Sequence, residues 1–171
     1  YMTHATTKTL QLQNKIGSNT TKSLTFNIAA SGSIVAGVGR TININTLLAG
    51  ATANTLTFAG GGNFSLKPLD VNDVQISNTF SGPIVVANGT LTVNNTGAFN
   101  NNLITLGAGS NPGKLVLNGN SVSIRGLSIS GTKGVLNIVE NNNATTATIT
   151  INNSVGYTFA GAFNDGAAGI L

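Results

Sequence analysis

Short apolar runs recur roughly every ten residues along the chain, each set off by Asn, Gly or Ser. Strict alternation, as in Leu10-Gln11-Leu12-Gln13, marks half-buried strands rather than helix faces. The pattern predicts strands at 9–13, 23–29, 33–38, 41–47, 54–59, 63–67, 73–77, 83–87, 89–93, 103–106, 113–117, 121–125, 134–139, 146–151 and 155–160. So many strands of about five residues do not fit one open sheet. The chain must instead close into a sandwich, a barrel or a solenoid.

Periodicity favours the solenoid. Gly89-Thr90-Leu91-Thr92-Val93, Gly113-Lys114-Leu115-Val116-Leu117 and Gly134-Val135-Leu136-Asn137-Ile138 share the template Gly-x-Leu-x-apolar, with starts 24 and 21 residues apart. Leu24-Thr25-Phe26 and Leu56-Thr57-Phe58 echo the same triplet upstream. A unit of roughly 20–30 residues is the mark of stacked repeats, each unable to bury its own apolar face. An all-β parallel β-helix of about seven or eight coils follows, forming a rod on the order of 35 Å long. Asn side chains at its turns are expected to stack into amide ladders. Pro68, Pro83 and Pro112 fall at strand ends or in a turn, where proline is tolerated. Asn88-Gly89 and Asn118-Gly119 are hairpin signals that would suit a sandwich, but neither is flanked by a long alternating strand pair. Residues 1–22 are expected to form a capping or linker segment, and 23–171 the β-helix.

Composition removes other classes. Apolar residues make up 40% and charged residues only 7%, so the chain can bury a core yet has little with which to build an active site. With 25 Asn, 23 Thr and 22 Gly, all weak or poor helix formers, a helical bundle is excluded. The net charge of +4 is spread over single basic residues, Arg40, Lys67, Lys114, Arg125 and Lys133 among them. The nearest cluster is Lys8, Lys15 and Lys22, in a stretch that reads as strand rather than helix. Nucleic acid is therefore not an expected partner. There is no cysteine, which removes disulfide and thiolate–metal chemistry and fits export of an unfolded chain. No signal peptide is visible, no apolar run of about 18 residues occurs, and the sequence looks like a piece of something larger.

Candidate chemistry is sparse. Asp70 and Asp73 are the one close acidic pair. They could serve a calcium-dependent lyase site, but calcium wants six to eight oxygens, and a turn with capping side chains is the expectation. His4 would have to recruit a distant acid to build a triad. Glu140 and Asp165 stand alone, without the partner a glycosidase needs. Gly37-Val38-Gly39-Arg40 and Gly60-Gly61-Gly62 lack the Lys-Ser/Thr of a phosphate cradle. Thr55-x-Thr57, Thr90-x-Thr92 and Thr148-x-Thr150 could display hydroxyls as ice-binding solenoids do, but Lys114 and Val116 interrupt the series. No catalytic, metal or cofactor site is expected. Phe99 and Phe163 are the aromatics that could serve a binding surface.

One stretch carries a resemblance. Asn78, Thr79, Phe80, Ser81, Gly82, Val86, Gly89, Thr90, Leu91 and Val93 stand in the order of the autotransporter-associated β-strand repeat. That pattern runs Asn-Thr-aromatic-Thr/Ser-Gly, then a β-branched strand, then small-Gly-Thr-Leu-x-Val. Pro83 and Ile84 depart from it, and Phe80 replaces the commoner Tyr. Ile104 to Gly107, Gly113 to Gly119 and Tyr157 to Gly166 are similar to the segments that follow. The resemblance covers about a third of the chain. It implies a right-handed parallel β-helix from the secreted passenger of a bacterial autotransporter, displayed outside the outer membrane. The implied roles are structural and adhesive: surface antigen, host-cell adhesion and passenger export. The implied partners are the translocator barrel of the same polypeptide and a host-cell protein or glycan, and cut coil ends would invite end-to-end self-association. A polysaccharide lyase or hydrolase on the same β-helix, or a glycan or host-protein binding module, is the alternative.

Overall fold

The computed structural model describes residues 8–13 and 24–166. Within them lie sixteen short strands, numbered here along the chain, and two single 3-10 turns. The largest sheet has seven strands: β1 (Lys8–Gln13), β4 (Arg40–Asn45), β7 (Asn63–Leu66), β9 (Gly89–Val93), β11 (Gly113–Val116), β14 (Ile138–Asn141) and β16 (Ala162–Asp165). A second sheet stacks β3 (Gly32–Val35), β6 (Leu56–Ala59), β8 (Ile84–Val86), β10 (Leu103–Leu106) and β13 (Gly126–Ile129). The third face is carried by β2 (Thr25–Ile28) on β5 (Leu47–Gly50) near one end, and by β12 (Val122–Ile124) on β15 (Ile149–Ile151) near the other. All strand pairs are parallel, and partners are always one coil apart. The architecture is a parallel β-helix of about six turns.

Register fixes the coil length. Lys8 lies opposite Arg40, Thr41 opposite Asn63, Asn63 opposite Thr90, Thr90 opposite Lys114, Lys114 opposite Ile138, and Ile138 opposite Ala162. The last three coils therefore each take 24 residues. Alternation then puts every second side chain of each strand inside. Leu10, Ile42, Phe64, Leu91, Leu115, Val139 and Phe163 form one continuous inward ladder. Its middle members are buried, while Leu10 and Phe163 at its two ends are 46% and 55% exposed. The second sheet contributes Ile34, Phe58, Val86, Leu106 and Ile129 in the same manner. Phe58 and Phe64, on consecutive strands of one coil, bring their ring centroids within 4.9 Å across the core. Outside the main sheet, Lys114 Nζ meets Glu140 Oε2 at 2.7 Å between neighbouring rungs.

The expected Asn ladder is present. Asn94 Nδ2 donates to Ser65 Oγ at 2.7 Å, Asn118 Nδ2 to Asn94 Oδ1 at 2.6 Å, and Asn143 Nδ2 to Asn118 Oδ1 at 3.4 Å. The four side chains come from four successive coils at one corner.

Several details differ from the sequence expectation, each for a visible reason. Six turns rather than seven or eight form because the chain spends residues on an excursion after β7. There, 73–77 is not a strand. Leu69 bridges Gln75 antiparallel, and Asp70 Oδ1 accepts from the amides of Asn72 and Val74, closing a tight turn. The third copy of the Gly-x-Leu template is also out of step. Ile138 pairs with Lys114, so Gly134–Leu136 winds as a 3-10 turn before the strand begins. Val135 and Leu136 consequently point away from the core, 75% and 51% exposed.

Leu24-Thr25-Phe26 and Leu56-Thr57-Phe58 lie on different faces and are not equivalents. No strand forms at 155–160, where the Tyr157 ring packs over Gly126, so closely that a Cβ there would sit 2.2 Å from a ring carbon. Pairing resumes at β16. The strands β5 and β13 lie outside the expected set, because the chain turns within a single residue, Thr46 or Arg125, between two strands that follow each other directly, and a lone Asn45 or Gly126 beside it does not stand out in a chain this rich in both. Those bends are held from outside, by Thr46 Oγ1 donating to Leu24 O and by Arg125 N donating to Asn102 O at 2.9 Å. Part of the stretch expected as a cap, Lys8–Gln13, is the first rung of the main sheet. Lys15, Lys22 and His4 lie outside the described residues.

The ladder makes a direct stability prediction. Leu115→Ala, at a fully buried rung with neighbours above and below, should cost about 2–5 kcal/mol. Val38→Ala, at a position 83% exposed, should shift the urea midpoint by no more than about 0.5 kcal/mol equivalent. Equal midpoints for the two variants would show that the inward ladder does not hold the coils.

Candidate functional site

The repeat residues singled out in the sequence sit where one coil is joined to the next. Asn78 is 3% exposed. Its Oδ1 accepts from Leu48 N at 2.8 Å in the coil before, and its Nδ2 donates to Ala98 O at 2.8 Å in the coil after. One amide thus satisfies two buried backbone groups of two different coils. Thr79 and Phe80 both donate backbone N–H bonds to Leu48 O at 3.0 Å, and the Thr79 hydroxyl reaches the same oxygen at 3.4 Å. Phe80 itself is buried in the core.

Gly82 lies so close to the coil below that an added Cβ would come within 2.2 Å of Asn54 O and 2.6 Å of the Phe80 ring. Gly89 combines a φ of +99° with a backbone approach that would put a Cβ 2.3 Å from Gly62 O. Left-handed geometry and lack of space together leave glycine as the residue for that corner. Leu91 and Val93 then point into the core, while Thr90 and Thr92 face out. The later Phe159-Ala160-Gly161 repeats the Phe80-Ser81-Gly82 contact: a Cβ on Gly161 would meet the Phe159 ring at 2.3 Å and Asn137 O at 2.4 Å.

Four more buried asparagines each bond to a backbone group of the coil before, although the sequence did not set them apart from the other asparagines. Asn102 Nδ2 donates to Phe80 O and Gly82 O at 2.9 and 2.7 Å. Asn95 Nδ2 donates to Pro68 O at 2.7 Å and its Oδ1 accepts from Gly97 N at 2.6 Å. Asn137 and Asn141 accept from Gly113 N and Gly119 N at 2.9 and 2.8 Å. Burial selects these from the rest of the Asn-rich sequence, and burial depends on coil register.

The titratable groups are dispersed. Among the described residues no three of His, Asp or Glu gather at one place. Asp70 is engaged by its own turn, Glu140 by Lys114, and Asp165 stands on the outermost described rung. The Thr-x-Thr pairs do not form an array either. Thr57 sits beside Ser33 and Val85, Thr90 beside Asn63 and Lys114, and Thr150 beside Ser123, on three different faces.

A surface feature that the sequence did not disclose is a groove of about 290 Å³ on the third face. Ser77, Thr96, Ser121, Ser123 and Thr150 line it with hydroxyls. Phe99 and Val122, 6% and 4% exposed, close its floor. Ser77 precedes the joint at Asn78. Thr96 opens the first 3-10 turn (Thr96–Ala98), and Ser123 and Thr150 face each other on β12 and β15. Four successive coils therefore contribute to the groove. Phe99, considered above as a binding aromatic, serves as floor rather than as an exposed platform. Phe163 is exposed and packs edge-on against Phe159 at 5.2 Å, away from the groove residues. No family model, curated protein or solved structure matches this chain.

The corner amide can be tested by pH. Asn78→Ala should cost roughly 2–5 kcal/mol, since Leu48 N and Ala98 O lose their partners inside the protein. Asn78→Asp keeps the acceptor for Leu48 N but turns a carboxylate oxygen toward Ala98 O. Burial and that carbonyl would raise the folded-state pKa of the new acid above its unfolded value near 3.9. Its protonated form can still donate, so stability is best below the unfolded pKa and falls as pH rises through the folded one. The deficit relative to the parent protein, measured by urea unfolding, should be larger at pH 7 than at pH 4. A pH-independent deficit would contradict the bridging role of the amide.

Proposed function

We propose that the chain is a structural and adhesive segment of a secreted autotransporter passenger, a non-catalytic rod displayed on the bacterial cell surface. The observation that carries this reading is the placement of the repeat residues. Asn78, Phe80, Gly82 and Gly89 all sit at coil-to-coil joints of a parallel β-helix. A sequence repeat whose members join neighbouring coils has a mechanical use: it lets coils be added along one axis.

The physical chemistry of export supports the same reading. A chain with 7% charged residues and no cysteine crosses membranes unfolded without disulfides to break. Each coil, once outside, gains its hydrogen bonds and apolar contacts from the coil already folded. Folding of this kind needs no nucleotide. The acids favour the rod over a hydrolase on the same helix: Asp70 is held in its own turn and Glu140 by Lys114, and glycoside hydrolysis usually needs a pair of carboxylates.

Antibody labelling of the cells that make the protein, before and after permeabilisation, tests the proposal. Labelling of intact cells, lost on treatment with external protease, is the expected result. Labelling only after permeabilisation would overturn it.

A further inference from the structure

The groove on the third face carries polar chemistry that the rod itself does not use. Ser77, Thr96, Ser123 and Thr150 make no side-chain hydrogen bond among the described residues. Ser121 Oγ accepts from Thr148 N at 3.0 Å and keeps its proton free to donate outward. Elsewhere at the corners of this fold, buried asparagines bond to backbone groups of adjoining coils, and Asn94, Asn118 and Asn143 bond to one another. Here several hydroxyls converge on one trough and are left to solvent.

We propose that this groove binds a neutral, β-linked oligosaccharide lying along the helix axis. Three observations select that ligand class. Each hydroxyl is both donor and acceptor, which matches the hydroxyls of a sugar and gives a fixed-sign ligand no advantage. No charged side chain lines the groove, so a phosphate, a uronate or a nucleic acid would find no counter-charge there. The floor is closed by the largely buried Phe99 and Val122, so the small part of it that reaches the surface is carbon, against which a C–H edge of a sugar can rest.

Spacing adds a fourth reason. Successive coils repeat at about 4.8 Å, close to the advance of a β-linked pyranose unit along its chain. Adjacent units of a β-1,4-linked chain are turned over relative to each other, so successive coils meet opposite edges of successive sugar units, and hydroxyls that both donate and accept can bond to either edge. The volume of about 290 Å³ is at the low end for small-ligand sites, so a longer glycan would run through the open trough rather than be enclosed. Affinity should be weak per site, as fits hydroxyl contacts exposed to water.

The inference narrows the adhesive part of the function proposed above and rests on that reading only for where the ligand is met. Cell labelling tests display, and sugar titration tests the groove, so either can fail alone. The direct experiment is an NMR titration of the isotope-labelled whole chain with cellotetraose. Tetragalacturonate serves as a charged control and maltotetraose as an α-linked one.

The expected result is saturable shifts confined to residues around Ser77, Thr96, Ser123 and Thr150, in the millimolar range and unaffected by added salt. Both controls should bind more weakly. Ser123→Ala with Thr150→Ala should weaken cellotetraose about tenfold while leaving the urea midpoint close to the parent value. Ser77→Ala with Thr96→Ala, at the other end of the trough, provides an independent pair should the first disturb folding. Absence of saturable shifts, shifts mapping to another face, equal binding of tetragalacturonate or maltotetraose, or unchanged affinity in a folded double variant would each overturn the assignment.

Discussion

A single coil of this protein encloses nothing. Its strands are three to six residues long, and each finds its hydrogen-bond partners only in the coils before and after it. Every other feature follows from that dependence. Apolar side chains must recur at one register position so that the ladder from Ile42 to Val139 stays continuous. Corners must bring the chain round so that strand meets strand. Polar groups turned inward at the corners must be satisfied by a neighbouring coil, because water does not reach them.

Asparagine meets the last requirement better than other side chains. Its amide both donates and accepts, carries no charge to desolvate, and is short enough to reach backbone groups of adjoining coils. Asn78 does this between Leu48 and Ala98, and Asn102 does it for Phe80 and Gly82. On the outer corner the same amides bond to one another from Asn94 to Asn143. A composition that looks low in complexity is thus used in two distinct ways, as buried joints and as an external ladder. The Lys114–Glu140 ion pair sits outside the sheet and partly in solvent, where such pairs add little.

Stacking also decides where function can reside. Surfaces of a solenoid are assembled from residues a full coil apart, so a site is built by register rather than by a local motif. The groove illustrates this. Ser77, Thr96, Ser123 and Thr150 belong to four coils, each a full coil or nearly so from the next in sequence. The excursion at 69–75, closed by Asp70, interrupts the regular coil shortly before Ser77.

The sequence by itself determined the fold class, because period-two alternation and a repeat unit of roughly 20–30 residues leave a chain this poor in helix formers with few other ways to bury its apolar face. It also marked Asn78, Gly82 and Gly89 through the resemblance of that stretch to a known repeat pattern, although the contacts that explain them run to neighbouring coils. The turn role of Asp70 was legible because its bonds reach only two and four residues along the chain. What the tertiary structure alone decided was register. The phase that leaves Gly134–Leu136 as a turn, the bends at Thr46 and Arg125, the selection of Asn95, Asn102, Asn137 and Asn141 for burial, and the hydroxyl-lined groove all depend on which residue of one coil lies over which residue of the next. Coil lengths that vary along the chain hide that alignment until neighbouring coils are in contact, since the hydrogen bonds that fix it run between coils and not along the sequence.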